Sequence, residues 1–537
     1  MWWAAGADVV PAAHGADVSV GARGGGTWHE PLLPDLVGVS SVQSERSIAD
    51  WQALMESGAV SAVEIVEHYL ARIDALDRAG PMLRAVLEVN PEAVAVAAAL
   101  DDERHRTGPR GPLHGIPLLI KDNIDTGDRL TTTAGSLALE GHRAPRDAFL
   151  VAKLRAAGAV VFGKANLSEW SNARSTRSIS GWSSRGGQTR NPYALDRGPC
   201  GSSSGSAVAV AADLVAAAIG TETDGSIVCP ASVNGVVGVK PTHGLVSRSG
   251  IIPVAASLDT AGPFSRTVAD AAILLSAMAG ADPRDPATRD AATRGAADYR
   301  RFLDGAGVRG ARLGVVRSCC GRDEGTDAVF EAALETLRGL GVVIVDGVDL
   351  SGVDAVRAQE MRVMRAELKA GIDAYLRERP DAPVRDLAAV IAFNARHAER
   401  VMPLFGQEFL EAARDEVGLD DPAYQEALAA VRHAARDDGI DRALGEQRLD
   451  ALVAPTATPA QVIDPAEPGR LGGLCAAPAA MAGYPHVTVP AGYVGGLPVG
   501  LSFFGGAWQE ERLLAYAHAF EQAADARRPP TFPERVV

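Results

Sequence analysis

The chain alternates short apolar runs with amphipathic stretches of helical period. Ile48, Trp51, Leu54 and Met55 recur at helical spacing behind Ser47, with Asp50 three residues on, the pattern of a capping box. Ser61 and Glu64 repeat that signal ahead of Ile65, Val66, Tyr69, Leu70 and Ile73. The pattern then predicts strands near 83–89, 117–120 and 160–162, with an alanine-rich helix over 92–104 and another over 147–157 closed by Gly158. Further strands are predicted near 236–239, 313–316, 342–345, 449–453, 487–489 and 499–504. Thr267 and Asp270 cap a helix running to Met278, and Leu513, Tyr516 and Phe520 stripe a last one. Residues 352–447 carry few strand signals and read as a helix-rich insertion. This alternation predicts an α/β fold. The expected form is a single large domain over 45–532, a mixed central β-sheet covered by helices. Residues 1–44, rich in Gly and Ala, are expected to be a flexible tail.

One stretch, 199–242, stands apart. It opens with Gly201-Ser202-Ser203-Ser204-Gly205-Ser206, continues through a nearly all-apolar, helix-length segment over 207–219, and reaches a second glycine turn with Ser226 between Gly225 and Ile227. Two serine- and glycine-bearing loops joined by an apolar segment read as one site, because a linker would be polar throughout. A serine hydroxyl is a poor nucleophile without a base. Lys121 ends the apolar run Ile116-Pro117-Leu118-Leu119-Ile120, where sites of open α/β sheets lie. Only five of the 52 basic residues are lysine, at 121, 153, 164, 240 and 369. A desolvated lysine can release its proton where an arginine cannot. Lys153, Lys164 and Lys240 read as structural or surface cations.

The segments IPLLIKDN, GSSSGS and GTETDGSIVCP together resemble the amidase signature family of serine hydrolases, over roughly residues 47–532. The resemblance implies Ser226 as nucleophile, Ser202 as a bridging serine after a cis peptide, and Lys121 as base. It also implies an oxyanion hole from the backbone N–H groups of Thr223, Asp224, Gly225 and Ser226. NLSEWSNARS and FNARHAERVMPLFGQEF are similar to the bacterial peptide amidases, which remove C-terminal amides from peptides. The expected function is therefore an amidohydrolase that forms an acyl-serine intermediate, with peptide C-terminal amides as substrate and no metal or organic cofactor. To serve as base, the lysine pKa must fall from ~10.4 to roughly 7–8. Asp224 stands where many members have glycine, Val228 where many have arginine and Cys200 where glycine is usual. The first two departures weaken an amidotransferase reading.

Other readings stay open on sequence grounds. Small aryl or aliphatic amides are alternative substrates, and an A-like amidotransferase component that works with partner proteins is an alternative role. Gly201-Ser202-Ser203-Ser204-Gly205 also satisfies the nucleophile elbow of α/β-hydrolase esterases, with Ser203 as nucleophile and His243, His397, His433, His486 or His518 as partner. Composition narrows the field. A formal net charge of -15 argues against nucleic acid as partner. No stretch of ~18 apolar residues predicts a membrane span, and no basic segment precedes an apolar core at the N-terminus, so a cytoplasmic location is expected. The five cysteines show no CxxC and no regular spacing, so neither a disulfide framework nor a zinc site is expected. Cys319 and Cys320 read as plain thiols, and Cys200 and Cys229 as small core residues.

Overall fold

Both predicted capping boxes form. Ser47 Oγ accepts from the Asp50 amide at 3.1 Å while the Asp50 carboxylate accepts from Ser47 N at 2.8 Å, which starts the helix Ile48–Glu56. Ser61 and Glu64 start Ala62–Arg72 in the same way. The computed structural model describes residues 45–305, 307–466 and 474–536, and the tail expected over 1–44 lies outside them.

In chain order the strands are β1 (Val86–Val89), β2 (Pro117–Lys121), β3 (Val160–Ala165), β4 (Trp182–Ser183), β5 (Gly187–Gln188), β6 (Ala217–Glu222), β7 (Val237–Lys240), β8 (Thr260–Ser265), β9 (Arg312–Val316), β10 (Val343–Val348), β11 (Ala451–Pro455), β12 (His486–Val494) and β13 (Leu497–Phe504). β4 and β5 pair with each other, and the rest build one 11-stranded sheet in the order β1-β3-β2-β6-β8-β7-β12-β13-β11-β9-β10. β2 runs parallel to β3 and β6, and β9 parallel to β10 and β11, while the middle of the sheet is antiparallel. The fold is thus a single large α/β domain with a mixed central sheet surrounded by helices. Every residue of β2, β3 and β6 is buried, as expected of parallel strands covered on both faces.

Two stretches differ from the sequence expectation. The apolar segment over 207–219 is not one helix: Ser204–Ala211 is helical, and the chain then turns into β6. A run that is apolar at every position carries no period to separate helix from strand. β8 gave no strand signal, because Gly262 and Pro263 interrupt it, yet it lies between β6 and β7. The chain between β10 and β11 is helical, led by the 21-residue helix Arg357–Arg377. Cys319 is not a plain thiol: it is disulfide-bonded to Cys475, and Cys320 alone is free. The partners are 156 residues apart, and sequence spacing cannot reveal a pair that tertiary folding brings together. Among the described residues no helix is long and apolar enough to cross a membrane.

Candidate active site

β2 and β6 lie side by side, and their C-terminal ends bring Lys121 to Thr221. Lys121 Nζ donates to Thr221 Oγ1 at 2.7 Å, to Thr221 O at 3.3 Å and to Ser202 Oγ at 2.7 Å. Lys121 is completely buried, and burial pushes its pKa down to about 7, against the smaller pull of Asp259 and Glu222. Lys121 and Ser202, 81 residues apart in the chain, are thus in direct contact.

Ser202 sits in the first serine loop. The Gly201–Ser202 peptide is cis, as the resemblance implies. A Cβ on Gly201 would lie 2.3 Å from Ser168 Oγ, so a larger residue there would displace the hydroxyl that accepts from Gly181 N at 2.8 Å. Ser202 O accepts from Ser168 N at 3.0 Å, and the next amide, Ser203 N, donates to Ser226 O at 3.3 Å. That bond sets the two serine loops against each other. Ser203 does not suit the elbow reading. Its hydroxyl donates to Thr221 O at 2.9 Å and accepts from Thr221 N at 3.1 Å, which ties it into the strand. His486, fully buried, bonds Ser502 instead.

Ser226 lies on the turn between β6 and the helix Val228–Val233. Two devices hold that turn, and neither was found by sequence reasoning. Glu222 Oε2 accepts from the N–H of Ile227 at 2.7 Å and of Val228 at 3.0 Å, the two residues after Ser226. Asp259 accepts from Thr223 Oγ1 at 2.6 Å while binding the Val254 and Ala255 amides at 2.8 and 3.0 Å. Burial raises both carboxyls, that of Asp259 to about 6. Gly225 has φ +84°, a left-handed conformation that favours glycine. Among the described residues no group accepts from the N–H of Gly225 or Ser226, so two backbone donors beside the serine are open to an anionic oxygen.

The Cys200–Cys229 disulfide corrects the sequence reading, which treated both residues as small core groups. The bond joins the residue before Gly201-Ser202 to one three places after Ser226, so it staples the two serine loops together. Asp224 has a partner no motif announced. Arg357, at the start of the long insertion helix, places Nη1 2.8 Å from Asp224 Oδ2 and 2.9 Å from Glu360 Oε2. Burial, aided by Asp224, pushes the Glu360 carboxyl up to about 8. Of the other lysines, Lys164 and Lys240 are fully buried: Lys164 donates to Ile124 O and Thr132 Oγ1, and Lys240 to Pro241 O.

A serine-bearing turn with open backbone donors, set against the loop that holds a buried lysine–serine pair at the strand ends of an α/β sheet, is an arrangement able to support acyl transfer. The amidase family model matches residues 64–514. An Arabidopsis thaliana protein named a probable amidase is 40% identical over 497 residues, covering 91% of this chain and 92% of the relative. A glutamyl-tRNA(Gln) amidotransferase subunit from Halorhodospira halophila is 37% identical over 508 residues, covering 90% and 98%. The crystal structure of the native peptide amidase from Stenotrophomonas maltophilia superposes with a TM-score of 0.86 at 52% identity, covering 91% of this chain and 99% of that one. The chain belongs to the amidase signature family, enzymes that hydrolyse amides.

Proposed function

We propose that this chain cleaves peptide C-terminal amides to the free acid and ammonia, with Ser226 as nucleophile, Ser202 as proton bridge and Lys121 as base. The observation that carries this reading is the Lys121 Nζ–Ser202 Oγ hydrogen bond in a fully buried pair. Neutral Lys121 takes a proton from Ser202 as Ser202 takes one from Ser226, and Ser226 Oγ bonds to the amide carbon. The oxygen that becomes anionic faces the N–H groups of the turn Thr223–Ser226; one such donor is worth ~2.7–4 kcal/mol of barrier. The C–N bond then breaks, the nitrogen takes a proton from Ser202, and Ser202 recovers one from Lys121. Water attacks the acyl-Ser226 ester by the same relay and releases the acid.

The likeness to the Stenotrophomonas maltophilia peptide amidase supports the peptide substrate. The likeness to the amidotransferase relative supports a second reading, in which partner proteins supply the acceptor. Ammonia release by the isolated chain separates the two. The panel is a dipeptide amide, a tripeptide amide, benzamide and a long-chain fatty amide, with Ser226→Ala and Lys121→Ala alongside. Release from the peptide amides, lost in both variants, is the expected result. Release from benzamide alone overturns the peptide reading, and survival of activity in Ser226→Ala overturns the mechanism. The two disulfides favour a compartment that keeps thiols oxidised, which departs from the expected cytoplasmic location.

A further inference from the structure

A narrow cavity of about 40 Å³ lies beyond the C-terminal ends of β9 and β11, which run parallel as neighbours. Cys319 and Cys475 both line it, Cys319 half-buried and Cys475 only 1% exposed. Cys319 follows β9, and Cys475 N donates at 2.9 Å to the carbonyl of Thr456, the residue after β11. Their disulfide ties these two places together. A water needs ~10–15 Å³ of such space, so the cavity admits a group the size of one sulfur.

The strip that Cys475 anchors packs on the serine turn. A Cβ on Gly225 would lie 2.9 Å from Leu474 Cδ2 and 3.2 Å from Ala476 Cβ, so the two neighbours of Cys475 cover the glycine before Ser226. Leu474 also packs against Cys200, Cys229, Val233 and Ala460. The surroundings of the disulfide are chemically uneven. Of the two arginines that line the cavity, Arg357 faces Asp224, Glu360 and Asp354 at 2.8, 2.9 and 3.7 Å. Arg322 is exposed and has no hydrogen bond or ion pair among the described residues. An unpaired guanidinium beside a half-buried sulfur attracts an anionic thiol and favours its thiolate form. The sulfur of Cys319 is the accessible one, and access decides which sulfur is attacked. Cys320 does not compete. It packs against the main core while Cys319 packs against a separate cluster, and burial raises the pKa of its thiol.

We propose that Cys319 is a modification site: a small thiol that carries carboxylates, such as glutathione, opens the Cys319–Cys475 bond, caps Cys319 and slows amide turnover by freeing the strip over Gly225. The thiolate attacks Cys319 Sγ. A new sulfur–sulfur bond forms as the Cys319–Cys475 bond breaks, and Cys475 leaves as a thiolate that takes a proton from water. The incoming sulfur is oxidised as that of Cys475 is reduced, so no further oxidant is consumed. The effect on turnover rests on the acyl-Ser226 reading above, whereas the modification itself does not.

The test treats the full chain with reduced glutathione, alkylates free thiols with iodoacetamide and maps the peptides by mass. Ammonia release from a dipeptide amide and from acetamide is followed in parallel. Glutathione is expected on Cys319 and the alkyl group on Cys475, with Cys200–Cys229 still bonded. Turnover is expected to fall ~3–10-fold, short of the ~10²-fold that a 1 Å misplacement at the reacting atoms costs. Arg322→Ala is expected to slow the exchange with glutathione threefold or more and to leave that with neutral 2-mercaptoethanol unchanged. Cys319→Ser/Cys475→Ser, folded by circular dichroism, is expected to match the turnover of the treated wild type and to ignore glutathione; the treated wild type decides the matter without it. Glutathione on Cys475 or Cys320, opening of Cys200–Cys229 instead, or no mixed disulfide overturns the site. An equal slowing of both thiols by Arg322→Ala overturns the anionic class. Full modification of Cys319 with unchanged turnover overturns the effect on rate. Turnover of acetamide alone overturns the peptide reading and leaves this test intact. Turnover of neither amide overturns the acyl-Ser226 reading and the effect on rate with it, while the mass map still decides the site.

Discussion

Lys121 ends β2, and Lys164 lies on the neighbouring parallel strand β3, where it pairs with Ile120. Both are fully buried, and burial pushes the pKa of each down. Their surroundings differ. Lys164 donates to Ile124 O at 2.7 Å and Thr132 Oγ1 at 2.9 Å, and Asp122, Asp125, Asp128 and Glu88 all oppose the loss of its proton. Lys121 meets two hydroxyls and a carbonyl, and only Asp259 and Glu222 oppose. Those two carboxylates are occupied by Thr223 and by the amides after Ser226. Burial alone therefore does not make a base of a lysine. In the proposed mechanism Lys121 differs by a serine hydroxyl partner and by having fewer carboxylates that favour its charged form.

The largest expected effect comes from removing one lysine at a time. Lys121→Ala should lower amide turnover by ~10⁴-fold or more, as for members of a catalytic unit, with the protein still folded by circular dichroism. Lys164→Met should do the reverse. It strands two buried acceptors at ~1–3 kcal/mol each and should lower Tm while the folded fraction keeps its kcat. Equal losses of turnover in the two variants would erase the distinction.

Next in size is the ion pair over the serine turn. Arg357→Met leaves Asp224 beside the forming oxyanion without its guanidinium, and kcat should fall ~10–100-fold, the cost of about 1.4–2.7 kcal/mol in the transition state. Asp224→Gly in the same chain should restore much of the loss, because the carboxylate that the arginine faces is gone. A double variant no better than Arg357→Met would show that the arginine acts elsewhere.

Smaller still is the acid limb of the pH profile. Lys121 must be neutral to accept a proton, so kcat should rise as pH passes through about 7. Asp259 raises that pKa, so Asp259→Asn should move the midpoint to lower pH, whereas a charge change near Lys164 should leave it in place. The stability sign agrees. An unfolded lysine keeps its proton to ~10.4 while the folded one has lost it above about 7, so Lys121 disfavours folding least at high pH, and its unfavourable contribution grows as pH falls through this window. Last, thiol titration of the denatured, unreduced protein should find one thiol per chain, Cys320.

Much of this was legible beforehand, and for identifiable reasons. The helices over 48–56 and 62–72 are announced by local caps, and Pro117–Lys121 by an uninterrupted apolar run. Ser202, Ser226 and Lys121 stand out because their loops carry residue types that a core or a linker does not need. β8 escaped because Gly262 and Pro263 disguise a strand that its neighbours hold in place. Glu222 was in plain view in GTETDGS, but nothing local says that a glutamate will cap the turn after it.

The order of residues determined, without further help, the family, the strand-end position of Lys121 and the two serine loops, since each depends on contiguous stretches of chain. Tertiary structure alone decided which of the buried lysines meets a serine hydroxyl and which meets a carbonyl and a threonine hydroxyl with carboxylates in the surroundings. It also decided that Cys200 pairs with Cys229 rather than packing as a thiol, and that Arg357 reaches Asp224 across 133 residues. Hydrogen bonds, ion pairs and pKa shifts fall off within a few ångströms, so they are set by distances in space that only the folded chain defines.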